Sequence, residues 1–139
     1  MPGTVVIGFD GTDGARVALT HALELAGDLG AGIVAVFAFE PPRWGGETKD
    51  LDEAVEERAK KVLEHATHQA SASGVELATE IRAADPAPAL MAAAEEHGAR
   101  YIVVGSNGER PLKSALVGST PTKLLHLSET PIVVVPLGD

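Results

Sequence analysis

The sequence predicts an α/β protein: a mostly parallel, doubly wound sheet covered by helices on both faces. Three observations carry this. Four short runs, Val5-Val6-Ile7-Gly8-Phe9-Asp10, Ile33–Phe39, Tyr101–Val104 and Ile132–Val135, are apolar at almost every position, as strands buried on both faces are. Segments with apolar residues at helical spacing lie between them. The two kinds alternate as β-α-β-α-β-α-β-α-β along 139 residues, the size of one domain.

The first strand stops at Asp10-Gly11, and Gly11–Gly14 reads as a turn. Asp13 is the expected N-cap of a helix of about 16 residues. Val17, Ala18, Ala22, Leu25, Ala26 and Leu29 form its stripe, and Gly30 and Gly32 bracket its exit. The second strand runs to Phe39 and meets a loop dense in breakers, Glu40–Gly46. Asp50 is the expected cap of the next helix, with Glu53 at capping-box spacing. Leu51, Val55, Val62, Leu63 and Ala66 make its apolar face, and Gly74 ends it.

Val75–Ala83 alternates apolar and polar residues, which predicts a peripheral strand with one wet face. Asp85-Pro86 starts a third helix with proline at its first position, and Gly98 stops it. A fourth strand leads into Gly105 and a glycine-bearing loop. A short helix starts near Ser119 or Thr120, and Ile132–Pro136 closes the chain's last strand. No repeat, linker or low-complexity tail interrupts the pattern, so one domain over residues 1–139 is expected.

Composition narrows the function. Hydrophobic residues are 45% and charged residues 22%, ordinary values for a globular protein. The absence of cysteine excludes disulfides, thiolate metal sites and a Cys nucleophile. No apolar run approaches the ~20 residues of a membrane span, and no signal peptide is visible, so a cytoplasmic protein without a membrane partner is expected. The net charge of −9 and the lack of a Lys/Arg cluster argue against nucleic acid. A small anion is still compatible, because backbone N–H groups bind phosphate whatever the net charge.

In open α/β sheets, ligands bind beyond the carboxyl ends of the strands, where strand order reverses. Gly8-Phe9-Asp10-Gly11-Thr12 supplies one such loop. Gly105-Ser106-Asn107-Gly108, followed by Gly118-Ser119-Thr120, supplies the other. Gly108 and Gly118 are expected to reach positive φ and expose N–H groups, and Ser119 and Thr120 to add hydroxyls at a helix start. Arg110, Lys113 and Lys123 outnumber Glu109 between Gly105 and Lys123, a local positive excess in an acidic chain.

Gly105, Gly108 and Gly118-Ser119 also have the spacing G-x2-G-x9-G-[ST]. With the Asp10-Gly11-Thr12 opening and the closing block Thr130–Val135, the chain resembles the ATP-binding universal stress proteins over essentially its full length. The resemblance implies a five-stranded sheet of order 3-2-1-4-5 and ATP, with or without Mg2+, as ligand. It implies that Gly8 and Asp10 lie at the nucleotide, Asp10 on the ribose. Phe37 and Ala38 would meet the adenine, and Val104 and Gly105 would line base and ribose. Gly108, Gly118, Ser119 and Thr120 would hold the phosphates. It further implies a stress-response regulator and a homodimer paired through Ile132, Val133, Val134 and Val135. Pro111 and Pro121 depart from the family pattern, and Pro121 removes one N–H from the helix start.

Other chemistries find less support. Gly8, Gly11 and Gly14 do not make G-x-G-x-x-G, and there is no P-loop. His65 and His68 lie three apart on a helix and read as a solvated face rather than a metal pair. His97 and His126 sit near helix ends, where they suit the dipole. Trp44 reads as a loop anchor or, alternatively, a lid. No nucleophile elbow supports a hydrolase. No general base is evident for a γ-phosphate, so at most slow ATP hydrolysis is expected. An interaction module without nucleotide is the alternative, but such family members lack the glycine motif. A nucleotide α-hydrolase would need a second substrate pocket, for which the chain leaves little room.

Overall fold

A computed structural model describes residues 3–40, 49–106 and 117–137. The elements run in the predicted order: β1 (Thr4–Gly8), α1 (Asp13–Leu29), β2 (Gly32–Phe39), α2 (Lys49–Ser73), β3 (Leu77–Ala83), α3 (Pro86–His97), β4 (Ala99–Gly105), α4 (Ser119–Leu127) and β5 (Ile132–Val135). All strand pairs are parallel, and the sheet order is β3-β2-β1-β4-β5. The chain moves outward from β1 through β2 to β3, then crosses to β4 and β5. Strand order therefore reverses between β1 and β4.

Strand parity sorts the core into two layers. Val5, Ile7, Ile33, Ala35, Phe37, Val103 and Val135 pack with α1 and α2. Val6, Val34, Val36, Ile102 and Val104 pack with α3 and α4. The helices on the first face bury mainly alanine: Ala15, Ala18, Ala22 and Ala26 from α1, and Ala59, Ala66 and Ala70 from α2. Small side chains let these helices lie close to the sheet, while Leu19, Leu23 and Leu63 supply the bulk.

Local details differ from the sequence expectation in four places. The cap of α1 is Thr12, whose Oγ1 accepts the Ala15 N–H, and Asp13 is the first helical residue. α2 begins at Lys49, so Asp50 lies inside the helix rather than capping it. Strand β3 begins at Leu77, two residues late. The physical reason is the end of α2: the Val75 N–H donates to Ala70 O at 3.1 Å and the Gly74 N–H to Ser71 O at 3.3 Å. This Schellman closure commits Val75 to the helix terminus. Val17, Leu25 and Leu29, expected in the α1 stripe, are only partly buried, whereas Leu19 and Leu23 are core. Trp44 and Pro111 lie outside the described residues. No described helix is long and apolar enough to cross a membrane.

Candidate functional site

The carboxyl end of β1 is shaped by one side chain. Asp10 Oδ1 accepts both the Thr12 N–H (3.0 Å) and the Thr12 hydroxyl (2.6 Å). Thr12 Oγ1 in turn accepts from Ala15. The carboxylate is thus locked to the first turn of α1 through one oxygen, and among the described residues Oδ2 makes no hydrogen bond. Gly11 makes the turn at φ +81°, and an added Cβ would lie 3.1 Å from Val62 of α2. Backbone preference and space both select glycine there. Gly8 sits just below, where an added Cβ would meet Leu90 at 3.1 Å and Val104 at 3.6 Å.

Across the sheet, β4 ends at Gly105 against the start of α1. A Cβ on Gly105 would stand 2.9 Å from Gly14 O and 3.0 Å from Gly14 C. These are backbone atoms that cannot swing aside, so this glycine serves the packing of β4 on α1, whatever else it serves. Ser106 then donates its N–H to Val135 O and accepts the Gly118 N–H at 2.7 Å.

That last bond changes the expected role of Gly118. Its φ is −61° and ψ 170°, an extended conformation open to any residue, not the positive φ expected. Its N–H is already committed to Ser106. The Thr122 N–H closes the first helical bond to Gly118 O, and Pro121 has no N–H. Among the described residues, the N–H groups of Ser119 and Thr120 are therefore the donors at the start of α4 without a partner. The helix dipole adds partial positive charge at the same point. On the outer side, Lys123 Nζ reaches Asp85 Oδ2 at 3.1 Å and ties α4 to the start of α3.

These ends enclose a cleft of about 680 Å³, its open mouth included. Of the residues singled out in the sequence, Gly8, Asp10, Ala38, Val104, Gly105, Gly118, Ser119 and Thr120 line it. Phe37 does not: its side chain is buried in the α1/α2 layer, on the opposite face of β2. Any contact from Phe37 would be confined to its backbone. Gly108 lies outside the described residues. Phe9 and Thr12 of the β1 loop and Pro121 at the start of α4 also line the cleft, as do Ala15, Val36, Pro86 and Leu90, which the sequence does not single out for this site. Val36 was within reach of sequence reasoning, since period-two parity places it on the face of Ala38. Pro86 and Leu90 arrive from α3 through the crossover and carry no local signal. The cleft thus has an apolar wall (Val36, Ala38, Leu90, Val104), a carboxylate at one side and open N–H donors at the other. Among the described residues, no group of three or more His, Asp or Glu side chains could hold a metal ion.

Together these features define a doubly wound α/β protein with its cleft at the point where strand order reverses. The model of the universal stress protein family matches residues 1–136. The chain is 30% identical to universal stress protein YxiE of Bacillus subtilis, covering 94% of this chain and 97% of that protein. Among solved structures, it is similar to a universal stress protein in complex with cAMP (26% identity, TM-score 0.76, 98% of each chain). It is also similar to a universal stress protein from Archaeoglobus fulgidus in complex with dAMP (25% identity, TM-score 0.73, 95% of this chain and 96% of that one). The chain belongs to the universal stress protein family.

Proposed function

We propose that this chain is one nucleotide-binding domain that takes ATP in the β1/β4 cleft and serves as a stress-response regulator in the cytoplasm. The observation that carries the reading is the pairing, across one cleft, of the anchored Asp10 carboxylate with the open N–H groups of Ser119 and Thr120. The adenine fits the apolar wall, the ribose hydroxyls fit Asp10 Oδ2, and the phosphates fit the start of α4. The cAMP and dAMP complexes of similar proteins favour an adenine nucleotide. Mg2+ would travel with the phosphates rather than occupy a site of its own. In the same reading two copies pair through β5, Ile132–Val135, about a two-fold axis.

Gly118→Val tests the ligand. Its extended backbone accepts valine without strain, so the variant should fold and lose ATP binding by filling the phosphate approach. Calorimetry showing unchanged ATP affinity in the folded variant would sink the proposal. Asp10→Ala should weaken ATP by the loss of a charge-assisted hydrogen bond, about 1.5–3 kcal/mol, and leave free phosphate less affected. Equal losses for the two ligands would remove Asp10 from the ribose.

A further inference from the structure

Behind the Asp10–Thr12 turn lies a second cavity, between α1 and α2. It holds about 590 Å³ with its mouth included, and shares only Phe9, Asp10 and Thr12 with the β1/β4 cleft. Its walls are cationic. Arg16 comes from α1, and Arg58, Lys61 and His65 come from α2. The three α2 residues are three and four apart, so they share one helix face. Asp10 is the single carboxylate on the lining, and its Oδ1 is already occupied by two bonds from Thr12. The acidic residues of α2 with described side chains, Asp52, Glu53, Glu56, Glu57 and Glu64, are off this lining. Among the described residues, no carboxylate pairs with Arg16 or Lys61.

Such a concentration of cations runs against a chain of net charge −9. A purely solvated helix face in an acidic protein would be expected to neutralise itself with neighbouring carboxylates, and α2 is rich in them. Here no described carboxylate of α2 lines the concavity on which cations from the two helices converge.

We propose that this cavity is a second anion site, built for a phosphoryl group. An arginine fork and a lysine point charge suit a tetrahedral dianion better than a single carboxylate, and His65 adds a ring N–H. The site is distinct from the start of α4, because the Asp10–Thr12 turn stands between them. The phosphoryl group arrives either as free phosphate or as the end of a nucleotide reaching round the turn. The cationic side chains on the lining are exposed, so binding weakens with salt.

The test is titration of the full chain with inorganic phosphate, read on backbone amide shifts of Gly11, Thr12, Arg16 and Lys61, in three proteins. These are the wild type, the Arg16→Gln/Lys61→Gln variant and Gly118→Val. Arg16 and Lys61 are exposed, so the double variant retains the fold. The double variant should weaken phosphate about tenfold or more, while Gly118→Val leaves these shifts in place. A parallel ATP titration separates the sources. ATP changed less than about twofold by the double variant assigns the site to a free anion; ATP weakened with phosphate assigns it to a nucleotide's phosphate. The proposal is overturned if the double variant alters neither ligand, or if Gly118→Val alone removes the phosphate shifts. Failure of ATP to bind at all would defeat the nucleotide reading and leave the phosphate titration able to decide this one.

Discussion

Strands β3 and β5 end the same sheet, yet their chemistry is opposite. Strand β3 is seven residues long and carries charge. Leu77 and Ile81 pack under α2, while Glu80 and Arg82 are tied to the end of α3. Arg82 donates to Glu80 Oε1 from Nε (2.9 Å) and Nη2 (2.7 Å), and Nη2 also donates to Glu96. The His97 ring N–H completes the group on Glu80 Oε2. Strand β5 is four residues, Ile-Val-Val-Val, with Ile132, Val133 and Val134 only half-buried. Nearby Leu125 and Leu127 of α4 are 60% and 65% exposed, and Leu137 follows the strand at 41%. Charge on an edge discourages a second strand from docking, whereas a bare apolar edge invites one. The contrast supports the proposed pairing of a second copy along β5 rather than β3.

The largest expected effect follows from that contrast. Val134→Lys should raise the dimer dissociation constant by about two orders of magnitude or more, by burying an unpaired ammonium at the two-fold axis. Ala78→Lys, exposed on β3, should leave the assembly as it is. Light scattering at micromolar concentration reads both. A wild-type mass equal to the 14.3 kDa chain, or a dimer indifferent to Val134→Lys, would erase the difference between the edges.

A smaller effect is expected on the other edge. Arg82→Ala leaves Glu80 and Glu96 facing each other without their shared cation. The pairs are partly exposed, so urea unfolding should show a loss of about 0.5–1 kcal/mol, with no change in oligomeric state. A loss several times larger would mean that the cluster holds β3 in the sheet and does more than guard its edge.

How legible these features are in the sequence depends on how local their causes are. The apolar strands and the glycine-terminated helices can be read directly, because double burial and helix closure leave marks within a few residues. The α1 cap is less clear: Thr12 and Asp13 are both good cap residues, and the choice falls to Thr12 because Asp10 fixes its side chain. In β2, Phe37 and Val36 lie on opposite faces, and the uniformly apolar run does not say which faces the cleft until Ala38 is placed there, after which parity selects Val36. The spacing of Gly105 and Gly118 is visible, but their physical roles are not. Gly105 answers to Gly14, distant in the chain, and the N–H of Gly118 is taken by Ser106. The cluster of Glu80, Arg82, Glu96 and His97 joins a strand to the end of the next helix. Nothing in the alternation of β3 announces it.

The smallest effect sharpens the account of the charged edge through pH. Burial pushes the Glu80 carboxyl up, but the hydrogen bonds from His97 and Arg82, with the charge of Arg82, outweigh it and hold the group below the usual carboxylate range. A carboxyl lowered in the folded state binds its proton less readily than in the unfolded chain. Its contribution to stability is therefore complete above the unfolded pKa, near 4.5, and is lost as pH falls through the lower folded value. The groups facing it are Arg82 on its own strand and His97 on α3, with Glu96 beyond Arg82. Solvent screening keeps the gain to a few tenths of a kcal/mol. Wild type and Glu80→Gln should therefore differ slightly in Tm at pH 6, and the difference should close as the pH is lowered toward 3. A gap that stays constant over that range would show that Glu80 guards the edge by its shape and hydrogen bonds alone, without any contribution from its ionisation.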